Sequence, residues 1–200
     1  MTVLETARLI LRPFDAGDAP AHAALYADPD VTRYLPGGPF PPDAIPARSE
    51  RSLTRFAEHW KTHGWGVWAV VDKATAGLIG QCGLNHLPDG SDVELLYALS
   101  RASWGRGLAI EAGRAALEHG FGPLGLERIV AVTRPEHRAS RRVMERLGMA
   151  YEADRDAFGM QVVCYALSRA MATRRPGPGA NPRASGESPW IEHHLSGRVR

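Results

Sequence analysis

The run VELLYAL (Val93–Leu99) reads as a buried strand, and the chain leaves it through SRASWGRG straight into the Ala-rich segment LAIEAGRAALEHG at 108–120. A second strand, 127–132, follows. Two strands joined through a helix run parallel, because a parallel return needs a long crossover while a tight turn gives only an antiparallel pair. This unit demands a sheet with a helix packed on it and excludes all-β and all-helical architectures. Two hundred residues suffice for one domain with a full core, and 44% hydrophobic residues make this a globular composition.

The remaining pattern extends the same sheet. RLILR at 8–12 is a short strand, and Asp15 is placed to cap a helix running to Ala27. The loop TRYLPGGPFPP at 32–42 is too rich in Pro and Gly to be regular. A second helix is predicted over 43–63, where Leu53, Phe56, Ala57 and Trp60 form one apolar stripe and Gly64 ends the run. Strands at 66–71 and 78–84 flank the turn DKATAG as a hairpin. A late helix at 138–147 stops at Gly148, and strands near 151–154 and 161–167 complete the body. The expectation is an α/β fold: a mixed, mostly antiparallel sheet with one parallel pair and helices on both faces. Residues 1–172 form this domain. From Thr173 the composition changes to Pro, Gly, Ser and Arg without apolar periodicity, so 173–200 reads as a disordered tail with Trp190-Ile191 as a small apolar island.

Charge and cysteine content exclude several classes. The net charge is +2, with +3 of it in the tail and −1 left on the body, which gives no argument for nucleic acid or an anionic membrane. Cys82 and Cys164 show no metal or redox spacing and read as packed thiols in a reducing compartment. The N-terminus carries Glu5, Arg8 and Arg12 and no signal-like apolar run, and no stretch reaches spanning length. The cytoplasm is the expected location. His59 and His63 stand at i, i+4, but the sequence shows no third ligand and Trp60 occupies the place of the glutamate in HExxH. They read as a solvated helix face, and no metal is expected.

The glycine loop carries the chemistry. A helix begins with backbone N–H groups that lack intrahelical partners, and together with the helix dipole they form an anion site. Gly105 and Gly107 before the helix permit close backbone approach, and Arg106 adds a cation. The dinucleotide fingerprint fails because Ile110 stands at its third glycine, and no P-loop Gly-Lys-Ser/Thr is present. On this motif alone, a phosphate site and a simple strand-to-helix turn both remain open.

Several segments in order resolve that choice by resemblance. Gly107-Leu108-Ala109 resembles the end of the pyrophosphate loop of the GNAT superfamily of acyl-CoA N-acyltransferases, with Trp104 in place of the usual Arg or Gln. ETARLILRPFDAGDA, ADPDVTRYLP, HGWGVWAVVDKATAGLIGQCGL, WGRGLAIEA and RASRRVMERLGM resemble, in turn, segments of its ribosomal-protein N-terminal acetyltransferase (RimJ/RimL) type. The likeness covers roughly 5–168, nearly the whole body.

The resemblance implies a cosubstrate, acetyl-CoA, and an amine acceptor, with no metal. It implies that the pyrophosphate rests on backbone N–H groups of Arg106, Gly107, Leu108 and Ala109. It places the pantetheine arm in a gap between splayed parallel strands, against Leu96, Tyr97 and Leu99, where a backbone N–H faces the thioester oxygen. His137 stands where the superfamily has an Asn that contacts the arm, and imidazole lacks amide geometry. Ser140 matches the following helix position. Its hydroxyl either protonates the leaving thiolate or back-bonds within the helix. The superfamily's usual Tyr acid, four residues on, is Met144 here. Tyr151 replaces it only if the fold brings it close.

Glu94 lies on the strand where superfamily members often carry a carboxylate base. Its apolar neighbours Val93, Leu95 and Leu96 favour a raised pKa, and the competing reading is a solvent-facing residue on an alternating strand. Glu111 in the first helical turn serves the dipole or the fold. Arg138, Arg141 and Arg142 are either solvated charge or a contact for the 3′-phosphate end of CoA, and Tyr34, Trp65 and Trp68 line the acceptor side or pack. The expected activity is acetyl transfer to a primary amine, a protein N-terminus or a small amine, by direct attack. The alternatives are an aminoglycoside-type small-molecule acetyltransferase and a non-catalytic acyl-CoA sensor. A monomer or homodimer is expected.

Overall fold

The computed structural model describes residues 2–173 apart from Asp89 and Ser91. Eight strands form one sheet: β1 (Leu4–Glu5), β2 (Leu9–Arg12), β3 (Val67–Asp72), β4 (Gly77–His86), β5 (Val93–Leu99), β6 (Arg128–Thr133), β7 (Ala150–Ala157) and β8 (Met160–Ser168). The spatial order is β1-β2-β3-β4-β5-β6-β8-β7. Every neighbouring pair is antiparallel except β5 and β6, which are joined through the helix the sequence demands. The helices are α1 (Ala19–Ala27), α2 (Pro29–Thr32), α3 (Ile45–His63), α4 (Leu108–Phe121), α5 (Arg138–Leu147) and α6 (Arg169–Thr173). The brief β1, α2 and α6 were not foreseen. The predicted tail lies outside the described residues except Thr173, which closes α6.

Alternation along β5 assigns the two faces. Leu95 packs with Leu108, Ala112 and Leu147 of α4 and α5, whereas Ala98, an odd number of positions on, packs with Leu25, Tyr26 and Val31 of α1 and α2. Helices therefore cover both faces, which is why β3 (VWAVVD) is buried along its whole length. The exposed edge strand β7 alternates charges at Glu152, Asp154 and Asp156, a pattern that discourages pairing with another sheet. No helix among the described residues is long and apolar enough to cross a membrane.

The buried stripe of α3 differs from the one predicted. Ala57 is exposed and Leu53 half-buried, while Ser49 and Ser52 join Phe56 and Trp60 in the interior. Partners from α1 make this possible. Ser49 bonds His22 Nδ1 at 2.7 Å, His22 Nε2 meets Gln81 Oε1 at 2.8 Å, and the Tyr26 hydroxyl donates to Ser52 at 3.2 Å. Each of these hydroxyls has a partner, so their burial carries no unpaired-group penalty. Asp15 caps a 3₁₀ turn that leads into α1, and the Arg12 guanidinium holds Asp18 with two bonds of 2.7 Å. Burial opposes ionisation of Asp18, but Arg12 and the Asp15 N–H outweigh it and keep the carboxyl below its ordinary range. Cys82 and Cys164 are buried thiols outside any disulfide.

Candidate active site

The parallel pair opens almost as soon as it forms. Among the described residues β5 and β6 pair only at Glu94↔Val130. Beside that point Arg128 of β6 donates to the Asp92 carboxylate at 3.1 Å, and Arg155 of β7 donates to its other oxygen at 3.1 Å. The strands are pinned at this end, and the stretch from Leu96 to Leu99 runs on without a β6 partner. The result is a wedge-shaped gap whose β5 wall keeps free backbone hydrogen-bonding groups.

The mouth of the gap is the start of α4. Gly105 and Gly107 both adopt left-handed backbone angles (φ 73° and 76°), which only glycine takes without strain. The first intrahelical bond runs from Glu111 N–H to the Gly107 carbonyl at 3.1 Å, so the N–H groups of Leu108, Ala109 and Ile110 precede the ladder. The loop is held from three sides. Trp104 Nε1 donates to the Leu99 carbonyl at 2.8 Å, and Arg8 donates to the Arg106 carbonyl at 2.9 Å. Glu111 accepts from the Thr6 hydroxyl at 2.6 Å and from the Arg8 backbone at 2.8 Å, which fixes its role as a clamp between α4 and the N-terminal strand. The Arg106 guanidinium reaches the buried Asp72 carboxylate at 3.3 Å, so this residue offers the mouth its backbone more than its charge.

Inside the gap two hydroxyls meet. The Tyr97 hydroxyl lies 2.9 Å from Ser140 Oγ and donates to the Ser140 carbonyl at 3.0 Å. Burial pushes the Tyr97 phenol above its ordinary pKa, with the Ser140 bond working the other way. Tyr97 is therefore a proton donor throughout the physiological range. Glu94, three positions earlier, points to the opposite face of β5. It is 5% exposed, and burial pushes its carboxyl up to about 8. A carboxyl with a raised pKa thus lies on one face of β5, at the closed end of the gap, and a hydroxyl pair on the other.

Comparison with known proteins agrees with this geometry. Residues 8–150 match the model of the acetyltransferase (GNAT) domain family. An uncharacterized Bacillus subtilis protein, YkkB, is 33% identical over 158 residues, covering 75% of this chain and 86% of that protein. An acetyltransferase from Agrobacterium tumefaciens is 30% identical in structure-based alignment, with a TM-score of 0.73 over 84% of this chain and 94% of its own. A RimL ribosomal L7/L12 alpha-N-protein acetyltransferase, solved in complex with coenzyme A, shares the fold at a TM-score of 0.69 with 17% identity, over 84% of this chain and 98% of its own.

The chain belongs to the GNAT acetyltransferase family. For this GNAT protein Leu96, Tyr97 and Leu99 lie on the stretch of β5 without a β6 partner, Ser140 meets Tyr97 from α5, Glu94 stands at the paired end, and Gly107, Leu108 and Ala109 form the start of α4. The solvent-facing reading of Glu94 is excluded by its burial. Met144 is 1% exposed and packs in the core. Tyr151 stays away, exposed, with its hydroxyl donating to Asp154 at 3.1 Å. His137 lies at the N-cap of α5, its Nδ1 3.1 Å from the Thr133 hydroxyl. Its ring stacks on Tyr34 at 4.0 Å and 17°, joining the loop after α2 to the α5 wall. Burial pushes His137 down to about 4, so it is a neutral ring and not a cation. Arg138, Arg141, Arg142 and Glu145 line a shallow hollow of about 250 Å³ beside it.

Sequence reasoning missed the contact of the Tyr97 hydroxyl with Ser140, since Tyr97 entered only as a backbone position. Its signal was present: Tyr97 and Glu94 are an odd number of residues apart and must face opposite ways. The helix-face reading holds for His63, which is exposed, and is corrected for His59. His59 is half-buried, its Nδ1 meets the Trp65 carbonyl at 2.9 Å, and His86 stands beside it.

Proposed function

We propose that this protein transfers an acetyl group from acetyl-CoA to a primary amine, a protein N-terminus or a small amine, by direct attack within the β5–β6 gap. The observation that carries the reading is the placement of Glu94 and the Tyr97–Ser140 pair on opposite faces of one strand that borders the gap. The site suits the cosubstrate. A Cβ added at Gly107 would meet only an Arg8 nitrogen, at 3.8 Å, so the helix start is open to an anion.

Acetyl-CoA supplies the activated acyl group as a thioester. The N–H groups of Gly107, Leu108 and Ala109 hold its pyrophosphate, and the backbone of Leu96–Leu99, which has no β6 partner, lines the pantetheine arm. Glu94 takes a proton from the acceptor ammonium, since only the neutral amine is a nucleophile. A backbone N–H of β5 stabilises the developing oxyanion. On the far side the Tyr97–Ser140 pair donates the proton that the departing thiolate needs. A hydroxyl acid is thus present although Met144 replaces the superfamily's usual tyrosine, and this favours an enzyme over a non-catalytic sensor. The reaction as proposed runs in the cytoplasm and uses no metal.

The deciding experiment follows thiol release from acetyl-CoA with a panel of peptide N-termini, polyamines and aminoglycosides. Turnover with at least one class, lost in Glu94→Gln while acetyl-CoA still binds, supports the reading. Saturable acetyl-CoA binding without turnover on any amine replaces it with the sensor.

A further inference from the structure

Outside the gap, three imidazoles converge where α3 ends. His59 and His63, one helical turn apart, meet His86 from the end of β4. One nitrogen from each ring lies within 4.8 Å of the others. His59 Nε2 is 3.2 Å from His86 Nδ1. Metal–nitrogen bonds of about 2.0–2.1 Å in a tetrahedral site place ligand nitrogens about 3.3 Å apart, so two of the three already stand at ligating separation. His63 is exposed, and its ring centroid lies 4.4 Å from that of His59 and 4.8 Å from that of His86, so a side-chain rotation completes the set.

The surroundings prepare the rings. The Trp65 carbonyl accepts from His59 Nδ1 at 2.9 Å, which leaves the Nε2 lone pair directed at the cluster, the outer contact expected of a metal-bound histidine. The Trp65 indole packs against all three rings, at 4.6, 5.6 and 5.2 Å, and covers one side. Gly64 closes α3 here in a left-handed cap, so the negative end of the helix dipole faces the cluster. A set of neutral imidazoles suits a borderline transition-metal ion and not Mg²⁺ or Ca²⁺, which take oxygen ligands.

We propose that His59, His63 and His86 bind one divalent transition-metal ion, Zn²⁺ in particular, which clips the last turn of α3 to the end of β4. The fourth position is left to water or to a ligand from outside. His86 pairs with Val93, at the end of β4 remote from Leu99 and the glycine loop, so the ion acts as a structural clip.

The test uses the full chain purified without a polyhistidine tag and stripped with a chelator. His193 and His194 are replaced by Ala throughout, because they form a second histidine pair in the sequence. Zn²⁺ is titrated by calorimetry, and Co²⁺ by its visible absorption with tryptophan emission followed in parallel. One equivalent is expected to bind, with a tetrahedral Co²⁺ spectrum and a Zn²⁺-dependent rise in melting temperature. His63→Ala, at an exposed position that leaves folding intact, and His86→Ala are each expected to weaken binding about 100-fold or more. No binding to the stripped chain, or affinity unchanged in both variants, overturns the proposal.

Discussion

The Tyr97 hydroxyl sits 2.9 Å from the Ser140 hydroxyl, tying β5 to the first turn of α5 across the gap. In the proposed reaction the two act as one proton source, with a proton passing from one hydroxyl to the other. Tyr97→Phe and Ser140→Ala are each expected to lower kcat, and the double variant to lose about 100-fold, the scale of general acid catalysis. Acetyl-CoA affinity, read by calorimetry, should change little. A double variant with full kcat removes the pair from the chemistry.

Glu94 should shape the pH profile. A base whose carboxyl titrates at about 8 is ionised only as pH rises through that value, so kcat/KM is expected to climb toward pH 8 and then level. Glu94→Gln should abolish that limb. Stability moves the other way. The folded carboxyl binds its proton more tightly than the unfolded one, so the folded state gains from protonation at low pH and loses stability as pH rises from about 4.5 to about 8. Chemical denaturation of Glu94→Gln should show that slope flattened.

Gly107→Val should weaken acetyl-CoA binding through the backbone. The position has φ 76°, and a left-handed conformation costs an ordinary residue about 1–2 kcal/mol, more for a β-branched one. Relief of that strain turns the first N–H groups of α4 away from the mouth. Calorimetry checks the loss, and an unchanged affinity in a folded variant removes the loop from cofactor binding.

His137 gives an acid-side signature. Burial pushes the ring down to about 4, so it folds neutral while the unfolded chain takes up a proton below about 6.5. Stability from this group is full above that range and declines as pH falls toward 4. His137→Asn should reduce the acid sensitivity of the melting temperature without lowering it at pH 8.

The hollow beside α5 predicts a phosphate preference. Arg142 is exposed there, next to Arg138 and Arg141. Arg142→Ala should weaken acetyl-CoA binding by about 0.5–1 kcal/mol at low salt, and less against the cosubstrate lacking its 3′-phosphate. Equal losses against both ligands place the 3′-phosphate elsewhere.

Much of the architecture was legible in the chain. The strand–glycine–helix–strand run specified the parallel pair, and period-two and period-3.6 patterns located the main elements. The position of α3 was right while its buried face was misread, because Ser49 and Ser52 look solvent-exposed until His22 and Tyr26 are placed opposite them. Glu94 could be named as a candidate base, yet alternation alone could not say whether its face was solvated. Its burial in the folded chain decides that, and with it the raised pKa.

What the sequence determined by itself is local: turn glycines at 105 and 107, helix stops at Gly64 and Gly148, and the crossover that makes β5 and β6 parallel. Tyr97 and Ser140, 43 residues apart, and His59 and His86, 27 apart, meet only in the folded chain. Periodicity reports which face of one element is buried, whereas a side-chain pair depends on how two elements pack against a third. The hydroxyl pair and the histidine cluster are therefore properties of the packed sheet, decided by register and helix placement that no single segment encodes.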